Sequence, residues 1–433
     1  MNLFALVLYI AVNAAMCFHF LYIRKDRGYE YPFWVGMIGL IFVMPQAVAF
    51  YDMPEELPEN GFWYTLLFST LCTVALWHGF SRAVASTKPP GRLLAMRFNL
   101  ARIQWVATIL VFVGIIFYLW FNATPKQTNE VGNLTGLATV LIFFAQLMKF
   151  GFCLSLYLFM KYKYKWSLFL TILSSSIFLI AIIAFGRRND TAQFALAILL
   201  VCWFVKGWTV PRWSFVVMMI AGFIGINAIG SYRSVMVYGD GENQWETLKG
   251  IDWYDAAQQT FQDGGGREFA NCVYNICAAD QLPFFDLGSS HWNLLVFSYV
   301  PAQFIGGPGV KLGLCLPGSF PNPYPRSIAY PHYQGLNGSM MMGYSDAYQS
   351  FAWFGAFLFW LCGWMMGSFY RFGKAGNLLA AVLYLWLISQ ALHVVPAFTA
   401  VLLTLPWVFF FVLIYPLLCW ASCPDENKEH DVK

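Results

Sequence analysis

Long apolar runs separated by short polar connections dominate this chain. Runs at about 3–23, 33–51, 62–80, 103–121, 134–160, 166–185, 191–208, 213–230, 346–370, 376–394 and 396–420 each approach the roughly 20 residues a helix needs to cross a hydrocarbon core. They predict an all-α polytopic membrane protein with about 11 transmembrane helices. Residues 292–310, WNLLVFSYVPAQFIGGPGV, are apolar but broken by Pro and Gly. They predict a re-entrant or interfacial piece rather than a span, because irregular backbone at membrane depth needs protein or a water-filled cavity around it. The predicted organisation is an N-terminal bundle of about eight spans (1–230), one large loop (231–345), C-terminal helices (346–420) and a polar tail (421–433). Within the loop, 244–262 and 266–280 have helical periodicity; in the second, Phe269, Cys272, Val273 and Ile276 recur at a spacing of three to four. The Pro- and Gly-rich stretch 301–343 predicts irregular chain lying over, or dipping into, a cavity between the spans.

Composition agrees with this pattern. The 433 residues are 59% hydrophobic and only 11% charged, where a soluble domain carries roughly a quarter charged residues. The opening MNLFALVLYIAVNAAMCFHFLYI lacks a basic n-region and reads as a first span rather than a cleaved leader. The net charge of +4 matters less than its placement. RKDR (24–27), the 81–102 stretch with Arg82, Lys88, Arg92, Arg97 and Arg102, KYKYK (161–165), Lys206 with Arg212, and RFGK (371–374) fall on alternate connections. By the positive-inside rule these are cytoplasmic, which puts the N-terminus outside and the tail inside. DMPEELPEN (52–60), the 122–133 connection and the large loop are then extracytoplasmic.

One connection breaks the rule. AFGRRNDTA (184–192) places Arg187 and Arg188 at an outer span end. They are either an anchor that snorkels to headgroups or a site for an anion. Lys149 is the one lysine well inside a span, placed to snorkel or to pair with Gln146. Six cysteines sit in or beside apolar runs as small core residues. Cys272, Cys277 and Cys315 share the outer side, where one disulfide can form with one thiol left over. No Cys/His spacing suits a metal, and neither a metal, a cofactor nor a nucleic-acid partner is expected.

The outer face gathers Arg187, Arg188, Arg233, Arg267 and Arg326 with several carboxylates and two loop histidines, His291 and His332. Arginine stays charged and grips phosphate oxygens with a bidentate fork, so such a group suits a pyrophosphate or an acidic sugar. A nearby carboxylate or imidazole can take a proton from an attacking hydroxyl. Arg267-Glu268 follows DGGG, as either a turn and helix start or part of a site. Arg326 lies in PNPYPRSIAYPHYQG among prolines and tyrosines, a composition suited to sugar platforms. Asp346 either caps the ninth span or acts chemically.

With FGRRND opening a span, a single late loop carrying arginines, and GLNGSMMMGYSDAYQSFAWFGAF (335–357) after it, the chain resembles the O-antigen and oligosaccharide repeat-unit polymerases (Wzy-type) of bacterial inner membranes. Asp346 stands where that pattern usually has Glu, and FAWFGAF lacks its final Gly. The resemblance implies a GT-C-like helical fold and a metal-independent glycosyltransferase. The enzyme would polymerise undecaprenyl-pyrophosphate-linked repeat units on the periplasmic side of the inner membrane, in some cases with a chain-length regulator as partner. It matches Arg187 to the first-motif arginine and Asp346 to the acidic residue. With these, Arg267, Glu268 and His332 are the catalytic candidates, and Arg188, Arg233, Arg326, Tyr330 and Tyr344 the substrate-binding ones. The competing readings are a ligase using the same lipid carrier and a transporter or flippase for an anionic lipid-linked glycan. Against the latter stands the lack of a convincing repeat between the two halves.

Overall fold

Apolar runs become helices, and the short polar connections become the turns between them. The computed structural model describes residues 1–26, 28–125, 127–128, 134–185, 188–221, 267–282, 285–302, 305–317, 324–333, 335 and 340–423. The N-terminal part contains α1 (Asn2–Ile23), α2 (Tyr31–Asp52), α3 (Gly61–Ala85), α4 (Leu100–Ala123), α5 (Leu137–Tyr162), α6 (Lys165–Phe185), α7 (Arg188–Lys206) and α8 (Arg212–Ala221). The large loop supplies α9 (Glu268–Gln281), α10 (Ser289–Tyr299), α11 (Pro308–Gly313) and α12 (Tyr324–Ala329). The chain then returns through α13 (Gly343–Phe351), α14 (Ala356–Lys374), α15 (Leu378–His393) and α16 (Ala400–Ala421). Among the described residues, six helical stretches are long and apolar enough to cross a membrane: α1, α2, α4, α5, α13 with α14, and α16. A two-residue antiparallel ladder, Gln127–Thr128 with Leu134–Thr135, closes the turn before α5.

Local chemistry sets the helix ends and their irregularities. Asn99 caps α4 by accepting from the backbone N–H groups of Ala101 (3.0 Å) and Arg102 (3.2 Å), and Asn377 caps α15 from Ala380 (2.9 Å). Pro45 and Pro416 offer no N–H to the carbonyl four residues back. A π-helical turn precedes each, at Gly39–Val43 and Phe410–Ile414.

The structure refines the hydropathy pattern in three places. The run at 346–370 is not one smooth span. Its first part, α13, is a short helix whose polar Ser345, Asp346, Gln349 and Ser350 are all buried, and Ala352 (φ 49°) breaks it from α14. Four polar side chains in nine residues cannot face lipid, so this turn of chain is held inside protein. The apolar stretch at 292–310 is divided between α10 and a turn; at 11 residues, α10 reaches about 16 Å and is too short to cross. The stretch 301–343, expected to be irregular, contains α11 and α12, each only six residues. The helix expected at 244–262 lies outside the described residues.

α15 runs through the centre and is buried on every side from Leu379 to Ser389, the signature of a helix surrounded by other helices. Beside it, α3 and α14 meet backbone to backbone. A Cβ added at Gly79 would lie 2.2 Å from the Trp360 carbonyl oxygen, and one at Gly363 would lie 2.1 Å from that of Leu76. At Gly367 the corresponding distance, to the Phe80 carbonyl oxygen, is 2.8 Å. Small residues permit this contact, which stands in for hydrophobic driving force where lipid already surrounds the helices.

The basic connections all gather at one end of the bundle. Lys374 pairs with Asp26 (2.5 Å), and Arg371 donates to the carbonyls of Ser86 and Lys88. Asn377 reaches Leu94, Lys161 reaches Gly376, and Tyr29 bonds to both Trp208 and Val210. Cys423 closes the chain onto Arg97. The alternation read from charge is therefore a physical clustering, whichever side of the bilayer that end faces.

Gly363→Ile would drive a branched side chain into the α3 backbone. The expected cost is roughly 1–3 kcal/mol, read as a lowered thermal midpoint in detergent. An equivalent substitution at Gly376, where an added Cβ meets open space, tests instead only the strain of its positive φ.

Candidate functional site

At the end opposite the basic connections, two groups of polar side chains form around α9. The first centres on Asp346, in the first turn of α13. Gly343 opens that helix against the turn after α15: its N–H donates to the Val395 carbonyl (3.0 Å), and a Cβ there would lie 1.9 Å from the Val394 oxygen. This brings Thr399 onto the carboxylate. Thr399 donates to Asp346 Oδ2 through its backbone N–H (2.9 Å) and its hydroxyl (2.5 Å). The same hydroxyl oxygen lies 3.0 Å from His291 Nε2, which is itself 3.6 Å from Asp346 Oδ2. Since the Thr399 proton is directed to the carboxylate, Nε2 is the donor to Thr399, and Nδ1 is the lone-pair nitrogen of the neutral ring. Burial would lower the His291 pKa, but the adjacent carboxylate of Asp346, with the charge of Asp286, outweighs it and holds the ring above its ordinary value.

His291 is placed by its own helix start. Asp286 Oδ1 accepts from the Gly288 N–H (2.9 Å), and its other oxygen takes the Ser290 hydroxyl. The N–H groups of Asp286 and Leu287 in turn satisfy the carbonyls of Gln349 and Ser350 at the end of α13. Between α10, α13 and the turn at 398–400 lies a small cleft, half open to solvent. Ser290, Ser345, Asp346 and Gln349 are its polar lining, and Leu294, Met341, Phe398 and Ala400 its apolar lining.

The second group lies on the other side of α9, which packs against both α12 and α13. Arg267, in left-handed conformation before α9 (φ 59°), pairs with Glu56 and sits over the Phe50 ring. Glu268 is the first residue of the helix. Tyr274 stacks on Tyr333 (3.6 Å between ring centres) and meets Tyr330 edge-on. The Arg326 guanidinium lies 5.8 Å from the Tyr333 ring centre, and the Tyr330 hydroxyl accepts from Gln281 (2.7 Å). His332 is exposed, edge-on to Tyr330.

The residues singled out in the sequence are thus divided. Arg267, Glu268, Arg326, Tyr330 and His332 belong to the α9–α12 surface, and Asp346 belongs to the cleft. Tyr344 is turned into the bundle, its ring stacked on Phe359 and its hydroxyl 3.4 Å from that of Tyr9. Arg187 and Arg233 lie outside the described residues; Arg188 begins α7, its side chain likewise outside them. The residue of GRRND whose partner is seen is Asp190: it takes Lys149 in a buried ion pair (2.5 Å), so that lysine joins α5 to α7 rather than pairing with Gln146. Cys272, Cys277 and Cys315 are free thiols; burial pushes Cys277 up to about 12. Among the described residues no three His, Cys, Asp or Glu side chains gather to hold a metal ion. Thr399, Asp286 and Gln349 were not singled out from the sequence. Thr399 lies 53 residues from Asp346, and only the packing of Gly343 on Val394 shows the connection.

No family model, curated protein or solved structure matches this chain.

Two outcomes follow from the geometry. A histidine whose folded pKa is raised stabilises the protein fully below its unfolded pKa of about 6.5, and that contribution is lost as pH rises through the higher folded value. Thermal midpoints should therefore fall on going from pH 6 to pH 8, and Asp346→Asn should flatten that slope; an equal slope in both proteins would disprove the coupling. For the ion pair, Lys149→Met alone removes the ammonium from a buried carboxylate and should cost about 3–5 kcal/mol, whereas Lys149→Met with Asp190→Leu should recover most of it. A double-mutant cycle on thermal stability measures the difference.

Proposed function

We propose that the chain is a membrane glycosyltransferase that lengthens a lipid-pyrophosphate-linked glycan, with the Asp346–His291 pair as the proton acceptor. The observation that carries this reading is the convergence of Thr399 and His291 on Oδ2 of a buried aspartate that lines a cleft. The contacts fix the carboxylate and leave Oδ1 to receive a substrate hydroxyl. Asp346 also stands in the GYSDAY element that carries the resemblance to repeat-unit polymerases.

In this reaction the acceptor hydroxyl oxygen forms a bond to the anomeric carbon of the donor glycan. The bond from that carbon to the pyrophosphate oxygen breaks, and the lipid pyrophosphate leaves with the electron pair. The hydroxyl proton passes to the carboxylate–imidazole pair, which titrates as a unit. The departing anion requires cations, and Arg187 and Arg188 are the residues we assign to it. The basic end of the bundle is cytoplasmic on the positive-inside rule, which turns the cleft toward the periplasm. The same rule places the N-terminus outside, and the protein would reside in a bacterial inner membrane with 11 spans in a GT-C-like arrangement.

Asp346→Asn keeps the size of the side chain and removes the proton acceptor. Glycan in cells carrying it should collapse toward single repeat units, with the transfer rate down about 10²–10⁴-fold and protein level in the membrane unchanged. A wild-type chain-length distribution would remove Asp346 from the chemistry. Complete loss of even single units from the final acceptor would favour a ligase or a flippase.

A further inference from the structure

The cleft's lining says what it is built to take. Gln349 is 4% exposed and lines the cleft, and its Nε2 has no hydrogen-bond partner among the described residues. Leaving a buried amide donor unpaired costs about 1–3 kcal/mol, an arrangement that makes sense where a ligand completes the bond. The other cleft polar groups are committed: the Ser290 hydroxyl is held by Asp286, and that of Ser345 by the carbonyls of Met341 and Met342. One free donor and one carboxylate therefore share the cleft with Leu294, Met341 and Phe398.

The charge of this lining separates it from the arginine groups. The charged side chain lining it, among the described residues, is Asp346, and Asp286 lies just behind Ser290. A second anion would meet carboxylates without a compensating cation, so pyrophosphate is a poor occupant. A pyranose ring is a good one: its hydroxyls can both donate to a carboxylate and accept from an amide, and its C–H face packs on apolar and aromatic side chains.

We infer that the cleft between α10, α13 and the 398–400 turn is a binding subsite for one uncharged pyranose, the acceptor sugar, with Gln349 as the residue that selects its hydroxyl pattern. The Gln349 Nε2 donates to one ring hydroxyl oxygen while a neighbouring hydroxyl donates to Asp346 Oδ1. Losing the amide donor removes discrimination at the hydroxyl it binds, because a buried polar partner left unpaired is what rejects the wrong sugar. The inference rests on the transferase reading for its meaning, but sugar binding can be measured without turnover.

The test uses the full chain in lipid nanodiscs, titrated with the methyl pyranosides of glucose, galactose and mannose and with inorganic pyrophosphate, reading the thermal midpoint. At least one glycoside should raise the midpoint, and to different extents among the three epimers. Gln349→Leu should weaken that glycoside about 10-fold or more while leaving the midpoint without ligand unchanged or higher, since it removes an unpaired buried amide. Pyrophosphate should not compete with the glycoside. The proposal is overturned if no glycoside shifts the midpoint, if Gln349→Leu binds it as tightly as wild type, if pyrophosphate competes, or if Gln349→Leu lowers the ligand-free midpoint and so marks the side chain as structural. A glycoside that binds as described to a protein with no transfer activity would sustain the subsite and dismiss the transferase reading.

Discussion

The contact between the backbones of α3 and α14 determines where everything at the cleft end can be. Gly79, Gly363 and Gly367 let the two helices approach until carbonyl oxygens touch Cα positions, and a helix pair held at that distance has little freedom to rotate or slide. α13 precedes α14 across one tight turn at Ala352 and is clamped at its other end by Gly343 on the Val394 carbonyl. Asp346 is thus fixed between two close backbone approaches, and the distances among Asp346, Thr399 and His291 follow from packing rather than from the hydrogen bonds alone. Side chains supported by rigid elements in this way can hold the geometry a proton transfer needs.

Elsewhere in the bundle, buried charge is matched by opposite charge. Glu30 is fully buried and takes Arg24 in a two-pronged contact, Asp26 takes Lys374 and the Tyr370 hydroxyl, and Lys149 takes Asp190. These pairs join α1, α2, α5, α7 and α14, and they meet the requirement that charge inside an apolar body be compensated. The cleft differs in kind. Asp346 lies there against an imidazole, and an amide donor of the same cleft is unpaired.

Much of the architecture could be read from residue order. Hydropathy placed the helices to within a few residues, because roughly 20 apolar residues in a row have few alternatives in a bilayer, and the alternation of Arg and Lys foresaw which connections would cluster. The break inside 346–370 was also visible in principle: GYSDAYQS is too polar to face lipid. The G-x-x-x-G spacing of Gly363 and Gly367, which suits a close helix contact, went unremarked beside the hydropathy. The site was less legible. Asp346 drew notice through its motif, but of the two loop histidines the sequence favoured His332 as the catalytic candidate and only named His291 beside it. What brings His291 rather than His332 to Asp346 is the folding-back of 286–290 onto the end of α13, a contact between segments about 60 residues apart that no local pattern records. Thr399 and Gln349 carry no sequence signal, since a threonine in a turn and a glutamine in a helix are common everywhere.

The most direct measurement is reconstitution of the purified chain in proteoliposomes containing lipid-pyrophosphate-linked repeat units, followed by mass spectrometry of the glycans. Glycans that lengthen by whole repeat units, with one lipid pyrophosphate released for each new linkage, are what this account predicts. Repeat units that stay single, or that merely change leaflet, would contradict it.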